Sequence, residues 1–300
     1  MICRNVFLRI YKLQEEVFKI EFSQSNEELN YDQPVEIQPG VFWVGYADHE
    51  YQLFSNPYLI REEDEAVLLD GGSRPDFSEV MVKILLTGVD PEEICALIYH
   101  HYDADLCGSV ANLEDIIDND DLKIISQKYN NYYINYFNAQ SPKLCIDEDL
   151  DGSWEFRSGR KLEFIHTPYL HTQGNFVTYD AESKILFTSD LFGSYDEDWD
   201  LFLEMDEECF ECRDTDECPL YDECKFSGFI SFHKDLMPSF KALEYSLDKI
   251  SNLLEEREVK IIAPQHGRLI RGEDKIKRMI DMLYNLQRVG IDRILAGEEI

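Results

Sequence analysis

Basic side chains are scarce in this 300-residue chain: 28 Lys and Arg face 61 Asp and Glu, for a formal net charge of −33. A field of that sign repels phosphate backbones and anionic headgroups, which excludes nucleic acid and acidic membrane surfaces as natural partners. Long apolar runs are missing too. Nowhere do the roughly 18 consecutive apolar residues of a membrane-spanning helix occur. The opening "MICRNVFLRIYKLQEEVF" has no uninterrupted apolar stretch of signal-peptide length. A soluble, cytoplasmic protein is therefore expected. No glycine-rich phosphate loop is in sight, which removes the usual signature of a nucleotide or flavin-phosphate cradle.

What is present argues for a packed fold. Hydrophobic residues make up 44% of the chain, with 18 Phe and 17 Tyr among them, enough for a sizeable core and too many for intrinsic disorder. Acids come in short runs, "REEDE" (61 to 65), "DEDLD" (147 to 151) and "DEDWD" (196 to 200), most of which read as solvated surface. Of eight cysteines, Cys3, Cys95, Cys107 and Cys145 are scattered, whereas Cys209, Cys212, Cys218 and Cys224 cluster. In a reducing compartment such a cluster points to metal more than to disulfides.

Apolar and polar residues alternate in 6 to 22 around a polar "QEE", the pattern of a β-hairpin, and "SQSNEELNYDQP" then breaks it. Residues 1 to 33 are thus read as an N-terminal extension. "GVFWVGY" (40 to 46), "YLIREEDEAVLLDGG" (58 to 72) and "ICALIYHH" (94 to 101) are strand-like, with a helical stretch, "FSEVMVKILLTGVDPEE", between the last two. The alternation returns in "KLEFIHTP" (161 to 168), "NFVTYD" (175 to 180), "KILFTSDLFGS" (184 to 194), a helix over 240 to 257, and "VKIIAPQHG" (259 to 267). Residues 273 to 300 hold a C-terminal amphipathic helix. Its stripe of Ile276, Met279, Ile280, Leu283 and Leu286 suits either its own domain or an interface. Two strand-rich halves with covering helices predict a layered α/β sandwich.

The histidines sort by context. His101, His171 and His266 each fall just beyond an apolar strand-like run, where a rigid scaffold presents chemistry on loops. His101, Asp103 and Asp105 occupy alternate positions, so extended backbone would send them to one side and a tight turn would fan them around a common point. "YLHTQGN" adds His171, "FTSDLFGS" adds Asp190 and "APQHGR" adds His266. Singly, each is more often a hydrogen-bonded structural group or a turn former than a ligand. Together they are three imidazoles and three carboxylates at the ends of four strands.

This constellation resembles the metallo-β-lactamase superfamily, and within it the β-lactamase-like domain of flavo-diiron proteins. That domain's pattern is His-x-Glu-x-Asp-His, then Leu-His, then Asp-x-Phe-Gly-Ser, then a late His-Gly. The chain supplies "HYDADL", "YLHTQGN", "SDLFGS" and "APQHG" in that order, and "GVFWVGY", "PYLI" and "VLLDGG" look like the family's first strands. The likeness spans about 35 to 270. It implies an αββα metallo-β-lactamase sandwich of two mixed β-sheets flanked by helices, with a di-iron domain over 34 to 272 carrying a Cys-rich insertion at about 196 to 228. It also implies His101, Asp103 and His171 on one metal, Asp105 and His266 on the other, and Asp190 bridging. Extra carboxylate where hydrolytic relatives use His suits two iron ions better than zinc.

There are two departures. Asp103 replaces the family's Glu and reaches less far. Leu106 replaces the sixth-position His, leaving positions on the second metal open to water or O2, or else leaving one metal only. In this respect the chain looks closest to stand-alone oxygen-binding di-iron proteins that lack the flavodoxin domain. His100 and His166 read as structural or supporting groups, His233 as the start of a helix, and His49 as a proton donor lying over the site.

Only 34 residues follow His266, so FMN on an appended flavodoxin domain is not expected. The C-x2-C opening of the cysteine segment, with two more thiols at five-residue gaps, fits an iron-sulfur cluster relaying electrons to the irons, or a structural zinc. The expected function is a non-haem di-iron protein that binds and reduces O2, with NO as second choice, as oxygen reductase or oxygen sensor. An unidentified electron donor or signalling partner and a homodimer are implied by the resemblance. The alternative is a zinc-dependent hydrolase of the same fold, in which the four thiolates hold a structural zinc.

Overall fold

The computed structural model describes residues 29–46, 55–196, 199–211, 224 and 226–298. Of the described residues, those from Tyr31 on belong to one compact unit. The hairpin read over 6 to 22 lies outside the described residues, as do His49, Cys212 and Cys218.

Two mixed sheets make the frame. The first runs in chain order, β1 (Val35–Gln38), β2 (Val41–Trp43), β3 (Tyr58–Glu62), β4 (Glu65–Leu69), β5 (Ile94–Ile98), β6 (Lys123–Ser126) and β7 (Lys143–Cys145). Its first four strands are antiparallel and its last four parallel, with β4 common to both sets. The second sheet, in spatial order, holds β13 (Ile270–Arg271), β12 (Ile261–Ala263), β11 (Ile185–Phe187), β10 (Phe176–Asp180), β9 (Lys161–His166) and β8 (Ser153–Glu155). There β11 and β12 are parallel and the other neighbours antiparallel.

Alternation along the strands decides the layers, because successive side chains leave a strand on opposite faces. Val67 and Leu69 of β4, Ala96 and Ile98 of β5, Ile185 and Phe187 of β11, and Ile261 and Ala263 of β12 meet in one cluster between the sheets. The intervening Ala66, Leu68 and Leu97 turn outward onto Val80 and Ile84 of helix α1 (Phe77–Leu86) and, beyond the one-turn helix α2 (Ala104–Cys107), Val110 and Leu113 of α3 (Val110–Ile117). Helix α4 (Lys128–Ile134) joins β6 to β7. On the other side, Leu186 and Ile262 turn onto α6 (Ser227–Leu236), α7 (Phe240–Glu256) and α8 (Glu273–Tyr284). The result is the αββα sandwich, each buried Leu, Ile or Phe contributing about 1.5–3 kcal/mol. A short α5 (Glu207–Glu211) opens the cysteine segment.

The acidic turn within "YLIREEDEAVLL" passes through Glu63 in the left-handed region and separates β3 from β4. One element differs from expectation. The C-terminal stretch is two helices, α8 and α9 (Ile291–Leu295), rather than one. Gly290 separates them, at φ 53° and with Met237 O only 2.1 Å from where a Cβ would stand, so no side chain fits and the helix cannot run through. The stripe of Ile276, Met279, Ile280, Leu283 and Leu286 is buried on the outer face of the second sheet, so it packs on its own domain. Among the described residues, no helix is long and apolar enough to cross a membrane.

Candidate metal centre

Four strand ends converge on one edge of the sandwich. His101 follows β5, with Asp103 next as the N-cap of α2 and Asp105 in its first turn. His171 lies in the β9–β10 loop, Asp190 in the loop after β11, and His266 after β12. The turn, rather than an extended strand, therefore fans His101, Asp103 and Asp105, since α2 begins before the alternation can continue.

Each imidazole turns Nε2 toward a carboxylate. His171 Nε2 is 2.9 Å from Asp103 Oδ2, His101 Nε2 is 3.2 Å from Asp190 Oδ2, and His266 Nε2 is 2.9 Å from Asp105 Oδ2 and 3.6 Å from Asp190 Oδ1. Asp190 thus touches imidazoles of both groups. Among the described residues, His101, Asp103 and His171 form the set whose ligand atoms all lie within 4.8 Å of one another. Asp105, His266 and Asp190 are joined in series beside it.

Electrostatics follow from this crowding. Burial opposes charge on His101, yet the Asp190 carboxylate and the contacts with Asp103 and Asp190 lift its pKa well above the ordinary value. His171 moves the same way: burial opposes, and Asp103 and Asp190 prevail. Burial alone would raise Asp190 and Asp103, but His101 and His171 hold both far below the usual carboxylate range, His266 adding to the effect on Asp190.

The donor set fits a pair of metal ions. His101 Nδ1 and Asp190 Oδ2 are buried polar atoms without a well-aligned hydrogen-bond partner, at positions where such atoms normally find one. Orientation is built in as well, since His171 Nδ1 points to the Leu236 carbonyl at 3.4 Å, the outer contact that fixes which nitrogen faces a metal. Strain gathers here: Asp70, Tyr169, Ser189 and Phe192, all flanking the cluster, have positive φ between 52° and 70°.

The loops are clamped from behind by groups that sequence reading passed over. Asn56, fully buried, accepts from Trp43 Nε1 at 2.8 Å and donates to the carbonyls of Pro264 at 3.0 Å and Gly267 at 2.9 Å, on either side of His266. Tyr58 OH and Trp199 Nε1 bind the same two carbonyls. Gly267, at φ 78°, presses against Ser194, whose Oγ would be 2.1 Å from any Cβ, which is why the "HG" and "FGS" pieces meet through a glycine. Gln265 bridges His101 and Asp105. A polar residue flanked by Pro and His–Gly was the only signal for it.

The remaining histidines are placed as follows. His100 donates from Nδ1 to Asp70 Oδ2 at 2.5 Å and accepts from Thr178 Oγ1 at 2.8 Å, tying one sheet to the other. His166 is far more exposed and pairs with Asp147 at 2.5 Å, outside the cluster. His233 does not begin a helix. It sits in the last turn of α6, fully buried, donating to Phe229 O at 2.7 Å and accepting from Phe192 N–H at 3.0 Å. Leu106 is wholly buried in the cluster of the first sheet's outer face. Cys209 and Cys224 pack against the cluster that includes Leu191 and Phe192.

A family profile described as "ODP family beta lactamase" matches residues 53–267. An uncharacterized protein of Methanocaldococcus jannaschii is 28% identical over 245 residues, 78% of this chain and 56% of the relative. An anaerobic nitric oxide reductase flavorubredoxin of Vibrio vulnificus is 24% identical over 297 residues, 88% of this chain and 55% of the relative. The chain thus spans about half the length of the curated relatives it matches. Among solved structures, a peroxy diiron species of the chemotaxis sensor ODP aligns with a TM-score of 0.65 at 23% identity, over 85% of this chain and 94% of the other. The apo state of the chemotaxis sensor ODP from T. denticola aligns with a TM-score of 0.68 at 22% identity, over 88% and 97%.

Proposed function

The chain belongs to the ODP family of beta-lactamase-like proteins, and from that premise we infer that it is a non-haem di-iron protein that binds O2, as oxygen sensor or oxygen reductase. The observation that carries this reading is the shared carboxylate: Asp190 lies between His101 and His266, each with a further carboxylate, Asp103 or Asp105, at hand. His101, Asp103 and His171 would hold one iron, Asp105 and His266 the other, and Asp190 both. When bound, two ferrous ions would supply the electrons that O2 takes up.

The protein's own groups set the conditions for this. Three carboxylates among three imidazoles make a hard, anionic donor set, which favours iron over the zinc of histidine-rich sites. Burial of His101, Asp190 and His266 keeps water from the inner wall. Leu106 offers no sixth ligand, which leaves room for a small diatomic molecule on the side of Asp105 and His266. NO is the second choice, supported by the name of the flavorubredoxin relatives.

The cysteine segment is read as a one-electron relay on an iron-sulfur cluster held by Cys209, Cys212, Cys218 and Cys224. Its support is that Cys209 and Cys224 anchor on the same core as Leu191 and Phe192, the residues that follow Asp190. A homodimer and an external electron donor or signalling partner complete the proposal.

Protein purified without oxygen, with iron, zinc and acid-labile sulfide quantified, tests all of this. Two irons per chain beyond those accounted for by sulfide are expected, whereas zinc without iron would overturn the reading in favour of a hydrolase. Rapid mixing with O2 then divides the two roles: a long-lived absorption change marks a sensor, and fast return to the starting spectrum with an electron donor marks a reductase.

A further inference from the structure

Helix α4 opens on Gln127, whose Oε1 accepts from Tyr129 N–H at 2.7 Å, and its first turn carries Asn130 into full burial. The Asn130 amide nitrogen donates to His100 O at 3.2 Å, one residue before His101, and to Gly174 O at 2.8 Å, three residues after His171. It also reaches Ser126 Oγ at 3.0 Å, whose own proton goes to Tyr99 O. All three partners accept, so the orientation of the amide is settled. Its other end, Oδ1, is buried without a hydrogen-bond partner, which is unfavourable on its own. The helix is fixed to the first sheet by the next residue, Asn131 Nδ2 donating to Ser126 O at 3.3 Å and to Leu144 O at 3.0 Å. One anchored side chain thus grips the main chain of both segments that carry His101 and His171, whose ring centroids are 5.2 Å apart. Gly174 is fitted to it, since a Cβ there would stand 2.3 Å from Asn130 Oδ1.

We propose that Asn130 is a positioning residue for the first metal position, a clasp that holds the two ligand segments together so that His101, Asp103 and His171 keep their spacing before an ion arrives. This rests on the reading of those three residues as one metal position. Contacts among the ligands, such as His171 Nε2 on Asp103 Oδ2 at 2.9 Å, are made by atoms that a metal competes for. The clasp is made through main-chain carbonyls instead, so it is the same with or without an ion. Without it, the cost of ordering two loops falls on the binding step. The second position is held by other groups, Asn56, Tyr58 and Trp199 on the two carbonyls that flank His266, so the effect of Asn130 belongs to the first.

The test is an anaerobic titration of metal-free protein with Co(II), followed by calorimetry, so that the readout is binding and not turnover. Two backgrounds isolate the positions: His266→Ala for the first and His171→Ala for the second. Asn130→Asp keeps the shape and removes the donors, and Asn130→Ala removes both. Either should weaken the ion bound in the His266→Ala background by about 10-fold or more, the cost of losing an outer contact. Either should leave the ion in the His171→Ala background within a few-fold, which also shows that the fold is intact. Gly174→Ala, which presses on the clasp from the other loop, should weaken the first position alone as well. Added to Asn130→Ala it should cost little more, because the oxygen that its Cβ would strike is gone. Unchanged first-position affinity in both Asn130 variants overturns the proposal, as does an equal loss at both positions, the mark of a purely structural residue. A wild type that takes up a single Co(II), still weakened by Asn130→Asp, overturns the di-metal reading and leaves the clasp standing. A wild type that takes up none overturns both.

Discussion

The two halves of the cluster are built on different principles. His101, Asp103 and His171 come from two loops and bring their ligand atoms within 4.8 Å of one another, with imidazole–carboxylate contacts between them and two neutral contacts behind the rings, Gln265 on His101 and the Leu236 carbonyl on His171. Asp105, His266 and Asp190 stand in series, and their positions depend on outside groups: Asn56, Tyr58 and Trp199 on the His266 loop, Gln265 on Asp105, and His233 on the Asp190 loop. Both halves contain imidazole–carboxylate contacts, but the second carries the larger scaffold of neutral hydrogen bonds. The lesson is that a donor set with a ligand missing is kept in shape by the residues around it.

Asp190 is where the comparison breaks most completely, because it faces imidazoles of both halves. Asp190→Asn keeps the volume and removes the anion, so metal content should fall from two ions per chain to below one. The affinity loss should exceed the roughly 100-fold upper cost of an outer contact. Metal analysis of anaerobically purified variant checks this. Retention of two ions would mean that the halves do not share Asp190.

His171→Ala and His266→Ala sharpen the comparison. Each should remove one ion and leave the other, the first from the triad and the second from the half with the larger scaffold. If the two halves are coupled through Asp190, the effect is reciprocal: each variant should weaken the ion that remains by a similar factor, about 10-fold. An unchanged affinity for the remaining ion in both variants would show that the halves are independent.

The contrast also explains what was legible in the sequence. Every ligand candidate could be found because each stands at the end of a long apolar run, a position set by the two-residue period of the strand. A layered α/β sandwich was legible for the same reason, and its αββα order was implied by the family resemblance. β6, β7 and β8 were not, being only three or four residues long ("KIIS", "KLC", "SWE"), too short for alternation to register, and α3 before β6 and α4 between β6 and β7 went unread as well. The scaffold of the second half was invisible because an amide such as Asn56 or Gln265 acts through partners that are distant in the chain or in another loop, with no spacing signature of its own. His233 was misread because its neighbours Phe229 and Phe232 place it on the buried face of α6, late in the helix, whereas its flanking "SF" and "KD" read like a helix start.

His233 gives the smallest effect and the one with a clear pH signature. Burial lowers its pKa to about 4, outweighing the Phe229 carbonyl and the Asp190 carboxylate, which favour the charged ring; the neutral Nε2 accepts from Phe192 N–H. In the unfolded chain the value is about 6.5. Above 6.5 both states are neutral and the stabilisation is complete. As pH falls below 6.5 the unfolded chain takes a proton that the folded protein refuses, so stability drops by about 1.4 kcal/mol per pH unit until roughly pH 4. His101 and His171, whose values are raised, act oppositely: their contribution is full below about 6.5 and fades as pH rises through their folded values. Denaturant unfolding of metal-free wild type and His233→Gln at pH 7 and pH 5 separates the two. Wild type should lose about 2 kcal/mol more than the variant between those pH values, since only wild type carries the buried neutral ring. An identical slope in both proteins would mean that His233 is protonated in the fold, and that the Asp190 loop is held in some way other than by its neutral nitrogen on Phe192.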